Sequence, residues 1–156
     1  MTVGIVLIAH KPLASALAAA AEHVYACAPE RAGAQIRVFD VQPDSDTQAN
    51  VAIARTLLGE VESGSGVLVL TDAFGASPGN VAAQLAEPGR VAVIAGVNLP
   101  MLLRALCYRE GALAETTERA LAGGTQGVMQ VASTAVQHQG ARPSKGDDLA
   151  RFHHQQ

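Results

Sequence analysis

The stretch VGIVLIAHKP, from Val3 to Pro12, limits most sharply what this chain can fold into. From Val3 to Ile8 every residue is apolar or glycine and most are β-branched, which is the pattern of a buried strand. The run ends in a polar His10, followed by Lys11 and Pro12. Proline suits the first turn of a helix, where its missing N–H costs little, so a helix is expected directly after the histidine. A strand, a short turn and a helix in an α/β domain place His10 on the edge where such folds bind ligands.

The rest of the chain repeats this unit. Leu13, Leu17, Ala20, Val24 and Cys27 recur at helical spacing, and Pro29 closes that helix. Gln35 to Asp40 reads as a second, less buried strand and an edge candidate. Asp44 or Ser45 can cap a second helix with Ile53, Ala54, Leu57, Leu58 and Val61 on its inner face, ended by the Gly64 to Gly66 turn. Val67 to Leu70 is apolar throughout and reads as a central third strand. Ser77 and Pro78 give a cap and a first helical residue for a third helix, with Val81, Ala82 and Leu85 inward. Val91 to Ala95 is a fourth strand, and Pro100 opens a helix reaching about Tyr108. A further helix is expected from about Leu113 to Ala122, stopped by Gly123 and Gly124, and then a short fifth strand from Val128 to Val131. From Ala132 onward the chain turns polar, so residues 1–131 are read as one domain and 132–156 as a flexible tail.

Strands alternating with helices imply parallel pairing and right-handed crossovers, hence an α/β doubly wound sheet with helices on both faces. In the flavodoxin-like order 2-1-3-4, one of several available, strands one and three are neighbours and the switch point lies between them. That order sets His10 opposite Asp72.

Composition narrows the function. A hydrophobic share of 49% with no tryptophan means a core of Ala, Val and Leu, and the formal charge of −3 with scattered basic residues leaves no stripe for nucleic acid. Cys27 and Cys107 form no CxxC pair, which favours free thiols in a reducing cytosol over a disulfide or a zinc site. No apolar run approaches the ~20 residues that span a bilayer, and Glu22 and His23 interrupt the Ala-rich stretch that could pass for a signal peptide. The expectation is a soluble cytoplasmic protein that needs no cofactor.

The chemistry open to these residues is nucleophilic. A neutral imidazole whose one nitrogen bonds a carboxylate presents the lone pair of the other outward, and the carboxylate stabilises the positive charge that develops on attack. Asp72 suits that role for His10. A phosphoryl group on the free nitrogen would be met by the Ser77 hydroxyl, the start of the Ser77 helix and the charge of Lys11. Each residue has a plainer reading too: His10 as a strand cap, Asp72 as a turn residue, Ser77 as a helix cap. Their shared edge favours the functional one. Gly75 to Gly79 also fits the GxSxG nucleophile elbow, but that elbow's oxyanion hole uses the N–H after the serine, and Pro78 has none.

With these residues in view, the chain resembles the mannose-class enzyme IIA of the bacterial phosphoenolpyruvate-dependent phosphotransferase system (PTS). The likeness runs from Val3 to about Val131 and rests on the strand delivering His10, on VLVLTDAFGASPGN from Val67 to Asn80, and on IAGVNLPMLLRAL from Ile94 to Leu106. The resemblance implies that His10 takes a phosphoryl group from the phosphocarrier HPr, with Asp72 as the supporting carboxylate and Ser77 as the loop serine. It also implies a final antiparallel strand, exchanged in characterised relatives across a homodimer. Family members usually carry glycine after the histidine, where this chain has Lys11 and Pro12. The change either weakens phosphorylation or lets the Lys11 charge replace a lost N–H donor. A fused IIB domain is not expected in the residues beyond 131.

Two functions follow from this reading. In the first, His10 receives the group from phospho-HPr, without metal or nucleotide, and passes it to a IIB component or holds it as a regulatory signal; the chain has no GxxxxGK[ST] loop. In the second, the same fold is a regulatory module that docks a partner, with phosphorylation as a switch or absent.

Overall fold

A computed structural model describes residues 1–26 and 36–131. The apolar run at the start forms β1 (Gly4–His10), whose residues are buried up to Ala9 while His10 emerges. There follow α1 (Leu13–Val24), β2 (Ile36–Val41), α2 (Thr47–Val61), β3 (Val67–Thr71), α3 (Ser77–Ala83), β4 (Val91–Ala95), α4 (Leu99–Tyr108) and α5 (Leu113–Gln126). The strands form one parallel sheet in the order β2-β1-β3-β4, as expected. β3, buried throughout, and β1, buried up to Ala9, lie in the middle, and the less buried β2 lies on an edge.

Because strand side chains alternate, the sheet buries two separate cores. Ile5, Leu7, Leu68 and Leu70 pack with Ala14 and Ala21 of α1 and with Leu102 and Ala105 of α4. On the other face Val6, Ile8, Val67 and Val69 meet Val51 and Ala54 of α2 and Val81 and Ala82 of α3. The same alternation continues to His10, which shares the side of Val6 and Ile8, and so the face carrying the Ser77 helix.

Several local expectations are corrected. The buried stripe of α1 is Ala14 and Ala21 with Leu17 beside them, whereas Leu13 and Val24 are exposed. An alanine face lets that helix lie close to the sheet. In α2 the cap is Asp46, whose carboxylate accepts from the Ala49 N–H at 2.7 Å, while Asp44 sits at positive φ and the Ser45 hydroxyl donates to Gln42 O. Val51 is buried there in place of Ile53. Ala76 rather than Ser77 is the N-cap of α3. Cys27, Pro29, Gln35 and the proposed tail lie outside the described residues.

Helix α5 does not stop at Gly123 and Gly124 but runs through both. A Cβ on Gly123 would strike the Arg104 side chain, and one on Gly124 would stand 2.5 Å from Met101 Cε. The glycines let α5 press onto α4. Asn98 locks the pair, its Oδ1 accepting from the Met101 N–H and its Nδ2 donating to Gly124 O, both at 2.9 Å. The expected fifth strand is also absent from the described residues: Val128, Met129 and Val131 are exposed, and the sheet has four strands. Val128 instead donates its N–H to Thr125 O at 3.4 Å, a turn that continues from the end of α5.

Candidate functional site

The parallel register aligns Ile8 with Thr71, so β1 and β3 end side by side and release His10 and Asp72 into the same space. Asp72 Oδ2 accepts from the His10 ring Nδ1 at 2.7 Å and from the His10 backbone N–H at 2.9 Å. Its Oδ1 accepts from the Ala73 N–H at 2.8 Å. One oxygen thus holds His10 at two points, its ring and its backbone, and the carboxylate is oriented by its own loop. His10 remains 53% exposed while Asp72 is 12% exposed, which leaves the imidazole reachable over a sheltered acid.

Burial works to raise the Asp72 carboxyl, but the bonds from the His10 backbone and ring, that of Ala73, and the charge of His10 outweigh it and hold the group below the usual carboxylate range. An ionised carboxylate can only accept, so the proton of this bond sits on Nδ1 of His10. Nε2 then faces away with its lone pair free whenever the ring is neutral.

The last strand supplies a support that the sequence reading did not assign. Gly96 N–H donates to Asp72 O at 2.9 Å and Val97 N–H to Thr71 O at 3.0 Å, so the turn after β4 fixes the backbone under the acid. Gly96 has φ of 87°, a conformation that glycine adopts without strain. A glycine directly after an apolar strand was the visible signal. A second unassigned support is Asp40 at the end of β2: its Oδ2 accepts from the Ser15 hydroxyl at 2.6 Å and its Oδ1 from the Ser15 N–H at 3.2 Å. The same hydroxyl also lies 3.1 Å from Pro12 O, tying down the turn that follows His10.

Ser77 is exposed in the first turn of α3, on the helix that shares His10's face of the sheet, and its hydroxyl makes no hydrogen bond among the described residues. Lys11 is exposed, and its N–H is committed to Val41 O at 3.2 Å, which leaves the ammonium as its free donor. A cavity of about 930 Å³ lies at the opposite end of the sheet, against Gly66, Arg90, Leu113 and Thr117, and includes none of these residues. Among the described residues no group of three or more His, Cys, Asp or Glu side chains is arranged to hold a metal.

A family model described as EIIA-man, PTS system fructose IIA component, matches residues 4–121. The chain belongs to the EIIA-man family. Among curated proteins, this family member is 29% identical over 130 residues to the PTS system mannose-specific EIIAB component of Escherichia coli K12, and to the same extent to that of Shigella flexneri. Each alignment covers 80% of this chain and 40% of the relative, so the EIIA-man chain spans about two fifths of those proteins.

Solved structures agree on the fold. The EIIA component from Streptococcus agalactiae superposes with a TM-score of 0.73 at 18% identity, over 85% of this chain and 99% of that one. The mannose/sorbose-specific IIA subunit from Enterococcus faecalis gives 0.71 at 24% identity, over 84% and 96%. As an EIIA-man protein the chain is a component of a phosphotransferase system. No helix among its described residues is long and apolar enough to cross a membrane.

Proposed function

We propose that this EIIA-man protein carries a phosphoryl group on Nε2 of His10, taking it from phospho-HPr and passing it to a IIB component or keeping it as a regulatory signal. The observation that carries the reading is the 2.7 Å contact between His10 Nδ1 and Asp72, which leaves the other ring nitrogen as the nucleophile. In the transfer, the Nε2 lone pair forms the new N–P bond as the donor's N–P bond breaks, and that bond's electron pair stays on the donor imidazole. The positive charge arising on His10 is stabilised by Asp72 through Nδ1–H, as in other imidazole–carboxylate pairs.

The phosphoryl oxygens are met by the Ser77 hydroxyl and by the Lys11 ammonium, which stands where many family members have glycine. No metal or nucleotide takes part in this reading. The phosphoryl-carrying unit is residues 1–131, acting in the cytoplasm as a homodimer. The exposed Val128, Met129 and Val131 and the outer edge of β4 support that assembly, since a second copy can cover both.

Incubation with labelled phosphoenolpyruvate, enzyme I and HPr tests the proposal. The parent chain becomes labelled through an acid-labile, base-stable bond, and His10→Ala does not. Equal labelling of the two would overturn it.

A further inference from the structure

Phe74, two residues after Asp72, is 93% exposed. The other aromatic side chains among the described residues are at least partly buried and engaged. Tyr25 donates its hydroxyl to Leu103 O, Phe39 packs on the core beneath α2, and Tyr108 lies 5.0 Å under the Arg119 guanidinium. Phe74 has no such role within the fold, and leaving a phenyl ring in water forgoes the hydrophobic gain of burying it.

The ring is nevertheless presented by a fixed backbone. Ala73 N–H bonds the Asp72 carboxylate at 2.8 Å, and Ala76 N–H returns to Ala73 O at 3.4 Å. Gly75 completes the turn with φ of 81°. Two peptide units separate Phe74 from Asp72, so their Cα atoms are at most about 7.6 Å apart. The surroundings are as telling as the ring: from Ala73 to Ala86 the chain has no charged residue, and Phe74's neighbours Ala73, Gly75 and Ala76 are small. Aromatic enrichment with depletion of charge marks the core of a protein–protein contact.

We infer that Phe74 is the docking anchor for the protein that delivers the phosphoryl group to His10, and that it seats against an apolar patch beside the donor's phosphorylated histidine. This inference rests on the reading of His10 as the phosphoryl acceptor. The donor's body meets the ring and the uncharged loop, while its phosphoryl group is directed past the loop to the exposed imidazole, where the donor N–P bond is exchanged for the His10 N–P bond.

Two donors separate docking from chemistry. Phospho-HPr needs a protein surface, whereas phosphoramidate, a small N–P donor, does not. For Phe74→Ala the KM for phospho-HPr rises about tenfold or more with kcat little changed, the scale of losing an aromatic anchor. Its rate with phosphoramidate stays that of the parent, and Phe74→Tyr restores most of the KM. An unchanged KM overturns the inference, as does an equal slowing with both donors, which would make Phe74 part of the transfer site. A change in sedimentation with unchanged KM also overturns it, assigning the ring to a second copy of this chain. If the parent takes phosphate from neither donor, the reading of His10 itself fails, and this inference with it.

Discussion

Gly79 in the first turn of α3 lies against the carbonyl oxygen of Ala73, so close that a Cβ at position 79 would collide with it. Ala73 in turn donates its N–H to the Asp72 carboxylate. Helix α3, the Phe74 loop and the acid under His10 are therefore one packed unit. Gly79→Ala must push the loop off the helix, since the clash is with backbone. We expect a loss of about 1–3 kcal/mol in stability by denaturant titration, the range of other overpacked sites. Labelling through HPr should fall together with it.

Asp72→Asn keeps the shape but removes the charge that stabilises the imidazolium. The rate of His10 phosphorylation should drop on the order of 10²-fold, less than the largest effects known for such pairs because His10 is half-exposed. The acid limb of the stability profile should change as well. The folded Asp72 carboxyl titrates below its ordinary value, so its contribution is present in full above about pH 5 and is lost progressively as pH falls through the unfolded and then the lowered folded value. The stability gap between parent and Asp72→Asn should accordingly narrow as the pH is taken from about 6 to about 3. A gap that widens on acidification would contradict the assignment.

Two glycines make opposite predictions. A Cβ on Gly4 would lie 2.6 Å from Val61 O and 2.7 Å from Val61 Cγ2, both in the packed seam between β1 and α2, whereas a Cβ on Gly59 meets nothing within 4 Å. Gly4→Ala should destabilise by about 1–3 kcal/mol. Gly59→Ala, in the exposed face of α2, should stabilise by about 0.5–1 kcal/mol through lower chain entropy in the unfolded state. Thermal melts of the two variants, moving in opposite directions from the parent, check the pair.

The Thr71 hydroxyl is buried without a hydrogen-bond partner among the described residues. Thr71→Val replaces it with a methyl group of similar size and should raise stability by about 1 kcal/mol, part of the cost of an unsatisfied buried group. Chemical denaturation measures this directly.

How far the sequence could be read follows from which signals are local. Apolar runs and proline positions are local, and from them β1, β3 and β4 were legible; the order 2-1-3-4, one of several open to such strands, is the one the sheet adopts, and it brings His10 and Asp72 together. Helix faces were less so. The Leu13 and Val24 stripe was attractive by hydrophobicity, but close approach to the sheet selects small side chains, and Ala14 and Ala21 face inward. Gly123 and Gly124 looked like a stop because their conformational cost is local, whereas the packing against Arg104 and Met101 that offsets it comes from another helix. The Asp40–Ser15 and Gly96–Asp72 bonds join residues far apart in the chain, and no spacing rule announces them. Val128 to Val131 has a strand's composition, yet it is not a strand of the four-stranded sheet among the described residues.

The most direct measurement is the ¹⁵N spectrum of the His10 imidazole before and after phosphorylation. Before transfer the ring, when neutral, should carry its proton on Nδ1, and afterwards the phosphorus coupling should appear on Nε2. Phosphorus on Nδ1, or on a side chain other than His10, would contradict the account.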